Sequence, residues 1–345
     1  MIDAKSYTEE WITNLRSSLG RRVDPKLIEK VIYALTLLEQ LRLNNLEFVF
    51  KGGTALLLAT ENPRRFSIDI DIITEESEDK IRTVLEKISQ LEMFIRWEDD
   101  NDRKHTQDAP IGHFKIFYKS RVDGHEEPIL LDLLYSPNPY PETKLYPIKH
   151  KWLLTEGAGT DVVLPTFEAI LGDKLTAFAP KTTGILYTKN RPVEIIKQLY
   201  DIAFLFDQVT DLEVVRKSYS RVVGEEIRYR NLDIDADVVL NDTWQTCYIL
   251  SERDEKSDEF KHLQLGIKNF TNFIIDRFSI EEAIVASAKV AHLTTLLKEG
   301  GINEIELFNN PTEIKDWLIE HPTYNKLNKL KKSNPEAFFY WYKSI

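Results

Sequence analysis

Between residues 50 and 73 the chain reads FKGGTALLLATENPRRFSIDIDII. The SIDIDII stretch alternates strictly, with Ile68, Ile70 and Ile72 on one side and Ser67, Asp69 and Asp71 on the other, the period of a half-buried strand. Side chains two apart on a strand point the same way, so Asp69 and Asp71 make a forked anionic pair. Carboxylates set in an apolar strand are costly unless paired or bound to a cation, and any fold for this chain must meet that demand. Oxygen-only donors of this kind suit Mg²⁺, which takes one or two carboxylates and leaves positions for substrate phosphates. Just upstream, residues 46–50 (LEFVF) read as a strand that stops at Lys51-Gly52-Gly53, and residues 54–59 as a short helix closed by Asn62-Pro63. Two glycines between a strand and a helix let backbone N–H groups approach a polyphosphate, with the helix N-terminus adding favourable potential. The candidate nucleotide-binding set is therefore Gly52, Gly53 and Thr54, with Arg65 and Ser67 beside the acids. Arg64 reads equally as a surface residue. A third carboxylate would complete a two-metal site, and Asp132, a lone acid in ILLDLLY, is the candidate. A solitary D-x-D is common and a lone Gly-Gly is usually a turn. Strand, Gly-Gly, helix, D-x-D strand and a later in-strand Asp in one order is a far more restrictive pattern.

The rest of the chain sets the frame. Leu27, Ile28, Val31, Ile32, Leu35, Leu38 and Leu41 recur at helical spacing over residues 24–43, and a second helix is expected over 79–91. HFKIFYKS and PILLDLLYS read as strands joined by a turn carrying Asp123-Gly124. Beyond Pro165 helical periodicity takes over. A length of 345 residues accommodates two domains, here expected as 1–160, with mixed helix and strand, and 161–345, mainly helical. The net charge of −11 disfavours a wholly electrostatic nucleic-acid coat while permitting a local basic patch. A single cysteine, Cys247, leaves neither a disulfide framework nor a cysteine-based zinc site. MIDAKSYTEE lacks a basic-then-apolar signal pattern and no apolar run reaches membrane-span length, so a cytoplasmic protein with no membrane partner is expected. His105, His113 and His125 lack zinc-ligand spacing and read as loop or strand polar residues. G-x-S-x-G, G-x-G-x-x-G and the P-loop G-K-[ST] do not occur.

KGGTAL followed by RRFSIDIDI resembles the nucleotidyltransferase AbiEii/AbiGii toxin family, within the DNA polymerase β-like nucleotidyltransferase superfamily. The likeness runs over roughly residues 30–207. It implies an α+β protein, an N-terminal polymerase β-like domain with a small mixed sheet followed by a mainly helical C-terminal domain that completes the nucleotide site. It also implies a lysine in a D-K-x-x-A helix, matched by Asp173-Lys174-Leu175-Thr176-Ala177, and an aspartate in a later helix, matched by Asp201 in Lys197-Gln198-Leu199-Tyr200-Asp201-Ile202. Three positions depart from the pattern: Ile68 stands where a polar residue is usual, and Lys197-Gln198 where Arg-Asp is usual.

From periodicity alone, Lys174 falls within the apolar stripe of Phe167, Ile170, Leu171, Leu175 and Phe178. It is then either snorkelling at a helix edge or meeting a buried anion. Asp201 falls opposite Ile195, Leu199, Ile202 and Phe206, and by periodicity reads as a solvated acid. Its role as base or orienter of the incoming nucleophile is implied by the resemblance only. At the C-terminus, Lys326, Lys329, Lys331 and Lys332 adjoin Phe338, Phe339, Tyr340, Trp341 and Tyr342. Such a stretch either binds RNA or packs as a terminal helix, and five consecutive aromatics cover every helix face, which favours packing.

The reading that follows is an Mg²⁺-dependent nucleotidyltransferase, with two ions. Asp69, Asp71 and Asp132 hold the metal, Gly52, Gly53, Thr54, Arg65, Ser67 and Lys174 the NTP, and Asp69, Asp71, Lys174 and Asp201 form the catalytic set. The resemblance implies a toxin of a toxin–antitoxin or phage-defence pair, with a cognate antitoxin as partner and the 3′ end of tRNA as acceptor. Nucleotidylation of a protein or small molecule, and a non-catalytic nucleotide- or RNA-binding module, are the alternatives.

Overall fold

In the computed structural model, which describes residues 1–20, 23–103, 109–157 and 159–345, the chain divides into two compact units. The first comprises residues 1–166 and 272–276, the second 167–271 and 277–345. His105 lies outside the described residues.

The first unit contains, in order, α1 (Glu9–Leu19), α2 (Pro25–Leu43), β1 (Val49–Lys51), α3 (Gly52–Ala59), β2 (Ile70–Thr74), α4 (Glu78–Ser89), β3 (Arg96–Asp99), β4 (Ile111–Lys119), β5 (Glu126–Tyr135), β6 (Thr143–Pro147) and β7 (Asp161–Pro165). The strands form one seven-stranded mixed sheet in the order β3-β4-β5-β2-β1-β7-β6. β2 runs parallel to β5 and β1 to β7, and the remaining neighbours are antiparallel. Strands β3, β6 and β7 and helix α1 were not legible as elements in the sequence.

Helix α2 starts where the sequence places it, with Asp24 accepting from Lys26 N and Pro25 in the first turn. It is buried far beyond one stripe, and two of its acids lie inside. The Glu29 carboxylate accepts from Ser120 Oγ at 2.6 Å and Arg121 N at 2.5 Å, tying α2 to the turn between β4 and β5. Glu39 accepts from the backbone of Ile2. Tyr33 stacks on Tyr118 of β4 with ring centroids 3.7 Å apart. These ties fix the β4–β5 hairpin, and thereby the register of every residue that β4 and β5 place side by side.

The segment before β2 is held as well. Phe66 N donates to Phe273 O and Ile275 N to Arg64 O, at 2.8 and 2.9 Å, a short ladder supplied by residues 272–276.

The second unit comprises α5 (Phe167–Ala177), α6 (Pro192–Phe206), α7 (Leu212–Tyr229), α8 (Ala236–Glu252), α9 (Asp258–Phe270), α10 (Ile280–Glu299), α11 (Leu330–Ser333) and α12 (Pro335–Tyr342). Helix α10 packs on α6, α8 and α12. It is rich in Ala and apolar almost all round, as a central helix must be, and it begins with a capping box between Ser279 and Glu282. Phe338, Phe339, Tyr340 and Trp341 are fully buried, and Trp341 Nε1 donates to Ser251 Oγ at 2.9 Å. The terminal aromatics are core residues, as their all-round distribution suggested. Among the described residues, no helix is long and apolar enough to cross a membrane.

Candidate active site

The D-x-D stretch takes up the alternation its sequence dictates. Ile70 and Ile72 are buried, Ile68 packs partly against the core, and Ser67, Asp69 and Asp71 are half-buried. Asp71 lies within β2, while Asp69 immediately precedes it. The decisive feature is the register across the sheet. Asp71 pairs with Asp132 on the parallel neighbour β5, Asp132 with His113 on β4, and Asp71 with Lys51 on β1. Residues paired in this way share a face. Four adjacent strands therefore present one row, His113, Asp132, Asp71, Lys51.

Two carboxylates on neighbouring strands, about 5 Å apart by strand spacing, repel and weaken the sheet. A fold carries such a pair where something else rewards it, and a divalent cation between hard oxygen ligands does so. Asp71 and Asp132 are oxygen donors of the type Mg²⁺ takes, side by side in register, with Asp69 two residues before Asp71. Among the described residues, no three His, Cys, Asp or Glu side chains are grouped as a metal site.

The two glycines have a specific steric cause. Gly52 has φ +80°, and a Cβ there would lie 2.2 Å from Asp71 Oδ2 and 2.9 Å from its Cγ. Only glycine lets the Asp71 carboxylate lie against the start of α3. A Cβ on Gly53 would lie 2.5 Å from Arg65 Nη2 and 2.6 Å from Ser67 Oγ. The glycines, Asp71, Arg65 and Ser67 are thus brought together around the first turn of α3. Arg65 is buried and donates Nη1 to Phe66 O at 2.9 Å. Thr54 is also buried, and its Oγ1 has no hydrogen-bond partner among the described residues. Lys51, in extended backbone conformation, is the N-cap residue of α3.

In the second unit, Lys174 of α5 and Asp201 of α6 form an ion pair at 2.7 Å, with side chains only 7% and 3% exposed. Lys174 Nζ also donates to Gln198 Oε1 at 3.2 Å. This corrects the periodicity-based reading of Asp201 as a solvated acid. Its helix has apolar neighbours on more than one side, and the buried lysine of α5 provides the partner that makes the burial tolerable. Lys174 does meet a buried anion rather than snorkel, and that anion is Asp201.

Several basic side chains of the second unit, including two of the C-terminal lysines, are engaged with nearby groups. Lys181 pairs with Glu259 at 2.7 Å and Lys326 with Glu252 at 2.8 Å, while Arg228 and Arg230 pair with Glu225 and Glu226. Lys331 donates to Trp317 O at 2.6 Å.

Sequence reasoning missed two members of the row, Lys51 and His113. Lys51 was visible as the last residue before Gly52. His113 follows from the hairpin: once the turn between Ser120 and His125 is known, counting back along both strands brings residue 113 opposite 132.

Over residues 36–281 the chain matches the family described as Nucleotidyl transferase AbiEii toxin, Type IV TA system. Among solved structures it is similar to JHP933 from Helicobacter pylori, at 15% identity and TM-score 0.46, covering 80% of this chain and 95% of that one. An antigenic nucleotidyltransferase-like protein from Paracoccidioides brasiliensis aligns at 15% identity and TM-score 0.36, covering 62% and 97% of the two chains. Likeness at that level carries no argument about chemistry. A search of curated proteins finds no match.

Proposed function

The chain belongs to the AbiEii nucleotidyltransferase toxin family, and from that premise we propose that it transfers NMP from an NTP to the 3′ end of tRNA, with Mg²⁺ held by Asp69, Asp71 and Asp132. Family membership makes it a nucleotidyltransferase toxin with NTP as substrate and a cognate antitoxin as partner. The observation that best supports the site is the register pair Asp71–Asp132, backed by a Gly52 whose missing side chain leaves room for the Asp71 carboxylate.

Bound there, Mg²⁺ would supply charge neutralisation for the triphosphate and for the charge that develops during transfer. In this reading the N–H groups of the α3 first turn and the side chains of Arg65 and Ser67 receive phosphate oxygens, Thr54 adding a hydroxyl in the same turn. Lys174 is assigned to phosphate binding and Asp201 to the acceptor, following the family pattern. The acceptor hydroxyl attacks the α-phosphorus in line, an O–P bond forms, the bond to the β-phosphate bridge breaks, and pyrophosphate leaves. By the family pattern Asp201, once released from Lys174, would orient the hydroxyl and take its proton. Catalysis of this kind consists mainly of positioning and charge stabilisation.

The test uses the purified protein with Mg²⁺, total bacterial tRNA and each α-³²P-labelled NTP in turn, beside Asp71→Ala. Label on RNA with the wild type alone is expected, and it identifies the nucleotide. Label on the protein, or on a small hydroxyl compound supplied without RNA, would move the acceptor to another class. If no NTP delivers label while the protein still binds RNA in EDTA, the catalytic reading gives way to a binding module.

A further inference from the structure

The proposed chemistry uses Asp132 and gives no task to the side chain that holds it. His113 Nδ1 lies 2.6 Å from Asp132 Oδ1, the length of a charge-assisted bond, and the two residues are register partners on β4 and β5. The histidine is itself secured. Its side chain is 13% exposed, its N–H donates to Asn101 Oδ1 at 3.0 Å, and its carbonyl accepts from Asp100 N at 2.8 Å. Asp132 also sits in register with Asp71. Left alone, two like-charged carboxylates on adjacent strands turn away from each other, which is the opposite of what a shared cation needs. A fixed N–H on one Asp132 oxygen sets the plane of that carboxylate before any cation arrives.

We propose that His113 is a positioning residue for metal binding, orienting Asp132 through Nδ1–H so that the Asp132–Asp71 pair is pre-arranged for a divalent cation. The inference rests on the assignment of Asp132 as a metal ligand. Hydrogen-bond partners of this type typically govern metal affinity as well as activity. The bond comes from the near ring nitrogen, so an Asn amide at position 113 reaches the same place, whereas Ala offers nothing.

The measurement is binding of Mn²⁺, a hard cation of similar preference, to the full-length chain, following free Mn²⁺ by electron paramagnetic resonance. His113→Ala is expected to weaken affinity by about 10-fold or more, with His113→Asn restoring it to within roughly threefold of wild type. Asp132→Asn should weaken affinity at least as much, and adding His113→Ala to it should cost nothing further. If His113→Ala does not fold, His113→Gln, whose amide is displaced by one methylene, replaces it with the same expectation. Wild-type affinity in His113→Ala, with affinity lost in Asp132→Asn, would overturn the role of His113 and leave the metal site standing. Unchanged affinity in Asp132→Asn would overturn both.

Discussion

Replacing Gly52 with Ala separates backbone strain from damage to the site. At φ +80° an alanine costs about 1–2 kcal/mol of backbone strain. For a domain of this size that corresponds to roughly 2–8 °C in Tm. The new Cβ would also stand 2.2 Å from Asp71 Oδ2, against 3.2 Å from Asp71 Cβ. The carboxylate end therefore has to swing aside by roughly 1 Å while the strand stays put. A displacement of that size at a reacting centre is worth about 10²-fold in rate. Gly52→Ala should thus lose about 100-fold in kcat/KM for NMP transfer with only a modest fall in Tm. Gly124→Ala is the matched control: it has φ +77° in the same unit with nothing within 4 Å of its Cβ, so it should lose similar stability and keep its activity. Gly53→Ala meets only the far ends of Arg65 and Ser67, which can move, and should raise KM for NTP by less than about tenfold. Label transfer and thermal melts on the three variants decide the matter. Full activity in Gly52→Ala, or an equal activity loss in Gly124→Ala, would refute the steric argument.

Three further outcomes are expected. Breaking the buried Lys174–Asp201 pair with Lys174→Ala or Asp201→Ala should destabilise by about 3–5 kcal/mol; a urea-denaturation double-mutant cycle should show the two effects to be strongly non-additive. Trp341→Ala should cost about 3–5 kcal/mol in the same assay and leave RNA affinity per folded molecule unchanged, because the ring is core. Burial lowers the imidazole pKa of His150 and of His292 to about 4 in the fold, with Lys151 and Lys343 adding to the effect. The unfolded chain therefore takes up protons first, and stability should be flat above about pH 6.5 and fall as pH drops from there toward 4. His292→Phe should flatten part of that slope in urea midpoints measured at pH 7 and pH 5.

The centre of the candidate site was legible in the sequence because its logic is local. The D-x-D alternation, the glycine pair and the in-strand Asp132 each follow from short-range rules. What remained hidden depends on pairing between distant segments. The sequence shows Asp71 and Asp132 as separate acids; only the parallel β2–β5 register makes them neighbours. Glu29 and Glu39 sit in a helix whose periodicity marks one apolar stripe, yet both are inside, held by the β4–β5 turn and the N-terminal segment. Asp201 looked solvated for the same reason, since its partner lies 27 positions away on another helix. Short strands such as β3 and β6, with mixed charged and exposed residues, carry little apolar alternation and owe their form to neighbours.

The carboxylate row on the sheet is proposed to carry the transfer. Its most direct test is the rate of label transfer from α-labelled NTP by Asp71→Asn, measured against wild type at saturating Mg²⁺. A fall of roughly 10²–10³-fold or more is expected in the folded variant. Transfer at the wild-type rate by folded Asp71→Asn would contradict it.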